Sequence, residues 1–271
     1  MPDKVGFIGL GSMGRPFATN IAAAGFDLTV HDVRPEPVAE LVALGARAAS
    51  SAREVAQQAA IVDIAVRDEG EVNSVMHGPN GLLAGARPGL IAAIHTSLHP
   101  QIIQKLAEEA EASGVEILDV QMSGGVGGVV NRNTCLMVGG APAVLEHCRP
   151  VLETTAGHIY HVGGVGMGAA AKIAQNMITA TYLMAASEGF RLAEKCGVDL
   201  EAFQEIVRTS SAQSYVADKY LREWGNREAK WMYHQVLWDA LDLGYTYDLS
   251  LPGAAACMQA LAHGLLKRPA P

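Results

Sequence analysis

The chain has 271 residues, 49% hydrophobic and 18% charged, a balance that fills a core and excludes a disordered polypeptide. Lys and Arg number 20 against 28 Asp and Glu, a formal net charge of −8, which excludes the basic footprint of a nucleic-acid binder but leaves room for a locally positive pocket. No run of about 18 apolar residues is unbroken, so no membrane span is expected. Cys135, Cys148, Cys196 and Cys257 form no C-x-x-C pair, as in a reduced cytoplasmic protein.

In chain order, MPDKVGFIGLG reads straight into a strand, without the basic and long apolar regions of a leader. Residues 13–24 read as a helix, Asp27–Asp32 as a strand, Pro37–Leu44 as a helix and Ala59–Val66 as a buried strand. Gly89–Ile94, Val115–Val120 and Thr134–Val138 continue the series. Strands alternating with helices of about 10–15 residues predict a mostly parallel sheet with helices on both faces. From Gly166 to Cys196 proline is absent and the only turn signal is Gly189. That predicts one helix of about 30 residues, roughly 45 Å long. Leu200–Val207, Ser214–Trp224, Trp231–Leu243 and Pro252–Leu266 read as shorter helices. The expected boundary is near 163, giving an α/β domain over 1–163 and an all-α domain over 164–271. The residues after the long helix are too few to cover it, so a homodimer or homotetramer is expected.

Gly9-Leu10-Gly11-Ser12-Met13-Gly14 has the pattern G-x-G-x-x-G. It follows a strand, opens a helix and precedes an acid, Asp32, by 18 residues at the end of the next strand, which is the context of a dinucleotide fingerprint. Gly9 would permit the tight turn, Gly11 the approach of a pyrophosphate, and Gly14 close helix–strand packing. The helix start offers amides and a positive dipole end to phosphates. Asp32 would accept hydrogen bonds from ribose hydroxyls and repel a 2′-phosphate, favouring NAD over NADP. Arg34, two residues on, could stack on adenine or bind that phosphate, so NADP stays open.

The segment VGFIGLGSMGRPFATNIAAAGF, with Met13 and Asn20, resembles the N-terminus of the β-hydroxyacid dehydrogenases. These are the 3-hydroxyisobutyrate and tartronate-semialdehyde reductase relatives of 6-phosphogluconate dehydrogenase. Asp119-Val120-Gln121-Met122-Ser123-Gly124-Gly125 is similar to the family's D-A-P-V-S-G-G, and Met137-Val138-Gly139-Gly140 to its M-V-G-G. Gly166-Met167-Gly168, with Lys172 and Asn176, resembles G-x-G-x-x-x-K-x-x-N-N. The resemblance implies a Rossmann-type domain followed by an all-helical domain joined by a long helix. It also implies oxidation of a 3-hydroxy acid to a semialdehyde, or the reverse, with NAD or NADP.

In that frame Lys172 is the acid/base, Asn176 orients the reacting oxygen, and Ser123, Gly124 and Gly125 clamp the substrate carboxylate. Lys172 and Asn176 are i and i+4, so they share a helix face. A lysine that is partly desolvated near a cationic ring has a lowered pKa suited to proton transfer near neutrality. Two glycines beside a serine form a nest of donors for an anion. The resemblance further places Ser12, Met13, Val66, Arg67, Thr96, Ser97 and Gln235 along the cofactor.

Several positions depart from the family pattern. Thr96-Ser97, after His95, exchanges the usual S-T. Val66-Arg67 replaces leucine-proline, Gln175 replaces the first asparagine of the pair, and Gln235-Val236 falls where a lysine-aspartate pair is usual. The chain stops at Pro271, short of a stretch most relatives carry. His95 and His99 have no third ligand in view, so no metal is expected. Trp224, Trp231 and Trp238 recur every seven residues, which fits core or subunit packing or the lining of an aromatic pocket. The alternatives are an imine or other carbonyl reductase of the same fold, which Lys172 argues against, and an inactive dinucleotide-binding protein.

Overall fold

The computed structural model describes residues 4–224 and 230–262. It divides into two compact units, Met1–Lys172 and Ile173–Pro271.

The first unit opens with β1 (Val5–Ile8), α1 (Gly14–Ala23), β2 (Leu28–His31), α2 (Pro35–Ala43) and a two-residue β3 (Arg47–Ala48). Then come α3 (Ala52–Gln58), β4 (Ile61–Ile64), α4 (Glu69–Met76), α5 (Leu82–Gly85), β5 (Ile91–Ile94) and α6 (Pro100–Glu111). β6 (Glu116–Ser123), α7 (Gly125–Val130), β7 (Thr134–Gly139), α8 (Pro142–Leu152) and β8 (Ala156–Gly163) complete it. The strands lie in the order β3-β2-β1-β4-β5-β6-β7-β8. β1 and β4–β6 are parallel neighbours, and the short apolar strands VGFI and IAAI are buried on both faces, as a helix-covered parallel sheet requires.

Alternation along β1 sends Phe7 to one side and Ile8 to the other. Phe7 joins Leu10, Phe17 and Ile21 in one core cluster, and Ile8 joins Val55, Val62 and Ile64 in the second. β1 lies between β2 and β4, so the strand order reverses there, and the loops leaving β1, β4, β5 and β6 all open at one edge of the sheet. That edge, at a reversal of strand order, is where open α/β sheets bind ligands.

Two features of this sheet depart from the alternating pattern. β7 is antiparallel to β6, because the link through α7 is too short for a parallel crossover. The edge strand β8 returns parallel to β7 and is exposed along most of its length, so it carries no hydrophobic run.

α9 (Met167–Lys195) realises the long helix. The second unit continues with α10 (Leu200–Thr209), α11 (Tyr215–Asp218), a π turn at Tyr220–Trp224, α12 (Lys230–Thr246) and α13 (Pro252–Ala262). The single helix expected over Ser214–Trp224 is thus split. Its core is Leu183, Phe190, Val207, Tyr220, Leu237 and Cys257 with their neighbours. Phe190 packs edge-on to Phe203 at 5.0 Å and stacks with Tyr220 at 4.6 Å, geometries favoured by aromatic quadrupoles. Trp238 is exposed on α12 rather than in this core, and the side chains of Trp224 and Trp231 lie outside the described residues.

Candidate active site

The loop after β1 is built as its spacing demands. Gly9 has φ of 92°, and a Cβ on it would stand 2.4 Å from the Ala65 carbonyl oxygen. A Cβ on Gly14 would lie 1.9 Å from the Gly9 carbonyl oxygen, so only glycine allows α1 to start this close to the strand. A Cβ on Gly11, by contrast, would meet nothing within 4 Å. No side chain caps the start of α1, where Ser12 is exposed and Met13 half-buried. The backbone at Gly11 therefore faces open space at an uncapped helix N-terminus, which fits a pyrophosphate.

Asp32 follows β2 at the same edge. Its Oδ2 accepts the Leu10 amide at 2.6 Å, and its Oδ1 accepts the Arg34 amide at 2.8 Å and Arg34 Nε at 3.2 Å. Burial raises its pKa, but the hydrogen bonds from Arg34 and Leu10 outweigh this and hold the carboxyl below its usual range. Arg34 also donates to the Leu10 carbonyl at 3.2 Å. A groove of about 250 Å³ runs here between Leu10, Gly11, Ser12, Arg15, Arg34 and Pro37.

Across the same edge, β6 ends in Ser123. Gly124 and Gly125 follow with φ of 129° and 61°, opening α7. Ser123 pairs in register with Cys135 of β7. Lys172, early in α9, lies close enough to Cys135 for their charges to act on each other. Burial lowers the Lys172 amine to about 8, with a small opposing effect from Cys135. Burial likewise pushes the Cys135 thiol up. The first unit thus carries a half-buried lysine beside Cys135, whose register partner Ser123 leads into the two glycines.

A family model described as the NAD binding domain of 6-phosphogluconate dehydrogenase matches residues 4–164. A second, described as NAD-binding of NADP-dependent 3-hydroxyisobutyrate dehydrogenase, matches residues 166–265. The 2-(hydroxymethyl)glutarate dehydrogenase of Eubacterium barkeri is 33% identical over 267 residues, covering 96% of this chain and 89% of the relative. A 3-hydroxyisobutyrate dehydrogenase of Pseudomonas aeruginosa is 35% identical over 218 residues, covering 80% of this chain and 72% of the relative. Among solved structures, the Mycobacterium tuberculosis 3-hydroxyisobutyrate dehydrogenase with L-serine matches with a TM-score of 0.86 at 26% identity, over 97% of this chain and 94% of that one. The chain belongs to the β-hydroxyacid dehydrogenase family.

It is accordingly an NAD(P)-dependent oxidoreductase of hydroxy acids. In this dehydrogenase the remaining expected positions fall as follows. Thr96 is buried, and its Oγ1 donates to the Val66 carbonyl at 3.0 Å and accepts the Val66 amide at 3.2 Å, which locks the loops after β4 and β5 together. Arg67 is exposed and paired with Glu71 one turn along. The Ser97 hydroxyl donates to Gln121 Oε1 at 3.2 Å. Asn176 follows Lys172 by one turn of α9. Gln235 is exposed on α12 and donates to Asp239 at 2.8 Å.

Four buried polar residues, Asn20, Asp63, His95 and Asp119, receive no role from the sequence. Asn20, on α1, donates to the Val129 carbonyl at 2.8 Å and to Thr155 Oγ1 at 3.2 Å, tying the first helix to the glycine nest. Asp63 and His95 pair inside the sheet, and His99 caps α6. Asp119 accepts amides from the start of α9. The signal available for Asp63 was a charged residue in the otherwise apolar strand IVDI.

Proposed function

We propose that this chain oxidises the hydroxymethyl group of a small 3-hydroxy acid to the semialdehyde, or reduces the semialdehyde, with NAD as the preferred partner. The observation that carries this reading is Lys172, whose burial brings its amine to about 8 beside Cys135, the register partner of Ser123. NAD, when bound, would supply the hydride acceptor for oxidation, and its reduced form NADH the hydride donor for reduction. In oxidation the neutral Lys172 Nζ takes the alcohol proton, and in reduction its ammonium returns one to the carbonyl oxygen. Ser123 Oγ and the amides near Gly124 and Gly125 hold the carboxylate, and the Asn176 amide orients the reacting oxygen without competing for the proton. Ser12, Met13, Val66, Arg67, Thr96, Ser97 and Gln235 are assigned to the cofactor side. Both relatives named above take substrates in which a hydroxymethyl carbon is bonded to a carbon bearing a carboxylate, which supports the substrate class.

The Asp32 carboxylate, held ionised, supports NAD over NADP. The Rossmann domain is assigned to 1–163 and the helical substrate and oligomerisation domain to 164–271. An exposed stripe of α9, with Ala174, Ile178, Tyr182, Ala185 and Leu192, supports a homo-oligomer. The four cysteines form no disulfide, in keeping with work in the cytoplasm. Replacing Lys172 by Ala tests the core of the reading. It should lower kcat by about 10²–10⁴-fold while NAD affinity holds. A variant with near-normal kcat at saturating hydroxy acid would remove Lys172 from the proton path.

A further inference from the structure

One face of β6 carries Asp119, Gln121 and Ser123 in steps of two. Asp119 and Gln121 are fully buried. Asp119 Oδ2 accepts the Ala169 amide at 2.8 Å, and the carboxylate also takes the amides of Gly168 and Gly166. A carboxylate at a helix N-terminus satisfies orphan amides and complements the dipole. The start of α9 rests directly on it: a Cβ on Gly168 would stand 2.8 Å from Asp119 Oδ2 and from the Met137 carbonyl oxygen. The Gly-Met-Gly spacing thus follows from a helix fastened to β6 and β7.

Gln121 stands where the family motif has proline, a residue whose side chain neither donates nor accepts. Its Nε2 donates to Asp119 Oδ1 at 3.0 Å and to the Thr96 carbonyl at 3.2 Å, and its Oε1 accepts from Ser97 Oγ at 3.2 Å. Two acceptors on one side and a hydroxyl donor on the other fix the orientation of the amide. A continuous chain of hydrogen bonds therefore runs from the loop after β5, through Gln121 and Asp119, to the first turn of α9. Lys172 follows that turn immediately.

We propose that Gln121 is a positioning residue that couples the Thr96–Ser97 loop to the start of α9 and so sets where the Lys172 amine stands. The role of Lys172 rests on the function proposed above, whereas the placement of its amine is measurable without turnover. Gln121→Met keeps the volume and removes all three bonds. Asp119 then loses its side-chain donor, the first turn of α9 loosens on β6, and water reaches Lys172. The groups that bear on Lys172 from the packed strand, Cys135 on β7, are unchanged by this substitution.

The test is the pH dependence of Lys172 acylation by acetic anhydride in the protein without cofactor, read by peptide mass spectrometry. Wild-type protein should show a midpoint near 8, and Gln121→Met a midpoint at least half a unit closer to the ordinary lysine value. In parallel, kcat should fall about tenfold or more, as expected for a displaced proton acceptor, with its pH profile moved the same way and KM little changed. Gln121→Leu, which also removes the three bonds without adding a charge, should move the midpoint in the same direction and carries the test if the Met variant does not fold. An unchanged midpoint and pH profile in a folded variant, even with a lowered Tm, would overturn the proposal. Normal turnover by Lys172→Ala would instead overturn the function assigned to Lys172, and the acylation midpoint would still report on Gln121.

Discussion

His95 Nε2 lies 2.7 Å from Asp63 Oδ1, and both side chains are fully buried between strands β4 and β5. His95 Nδ1 is 3.1 Å from the Val120 carbonyl, and the ring stacks on Phe7 and meets Phe17 edge-on at 4.9 Å. The pair is therefore part of the floor under the glycine loop. Breaking such a pair leaves a buried polar group without its partner, whereas replacing both members by apolar residues can be neutral. Asp63→Val or His95→Met alone should cost about 3–5 kcal/mol. Asp63→Val combined with His95→Met should recover most of that loss. Urea unfolding of the four proteins checks it, and additive losses would mean the two side chains are not coupled.

The Lys172 amine at about 8 fixes a pH signature. Oxidation needs the neutral amine, so its kcat/KM should climb tenfold per pH unit below about 8 and level off above it. Reduction needs the ammonium, so its kcat/KM should be level below about 8 and decline above it. Initial rates in both directions from about pH 6 to about pH 10 check both limbs. A profile flat through this range would exclude Lys172 as the titrating group.

Cofactor choice turns on the charge of Asp32 rather than on its shape. Asp32→Asn keeps an oxygen able to accept the Leu10 amide and removes the negative charge. The ratio of NADP to NAD dissociation constants should drop by about tenfold or more, worth about 1.4 kcal/mol. Arg34, released from its carboxylate partner, would then be available to a 2′-phosphate. Fluorescence titration with both cofactors measures this, and an unchanged ratio would mean another group sets the preference.

The exposed stripe on α9 is tested by charge. Tyr182 and Leu192 are 50% and 65% exposed, and lysine at either position costs the chain's own core nothing. Tyr182→Lys with Leu192→Lys should convert an oligomer to monomer in light scattering at micromolar concentration without loss of helix content. A wild-type chain that is already monomeric would refute the oligomer.

Much of this architecture was legible because it obeys short-range rules. The glycine spacing from Gly9 to Gly14, the acid at Asp32 and the proline-free stretch that becomes α9 each report a local constraint on backbone or helix. β3 and β8 carried no such pattern: one has two residues, and the other lies at an exposed edge where alternation has little to bury. The Asp63–His95 pair escaped because it depends on register. Asp63 sits opposite Ala93, two residues before His95 on the same face, and only the assembled β4–β5 ladder brings them together. Gln121 escaped for a similar reason. Ser123, Gly124 and Gly125 match a motif, whereas the amide two residues earlier stands in place of proline, and its buried partners come from the loop after β5, which only the folded sheet brings beside it.

Asn20 reaches across 109 residues to Val129 and 135 to Thr155. The helix that opens at the glycine loop therefore has a buried carboxamide whose partners are synthesised long after it. A nascent or truncated chain ending before α7 would hold that group without either acceptor of its native pair, at a cost of about 1–3 kcal/mol. The loop closure that relieves it is long and slow to search. The first helix is thus completed late in synthesis: α7 and the turn before β8, far from the glycine loop in sequence, supply the two acceptors that fasten the helix opening at that loop.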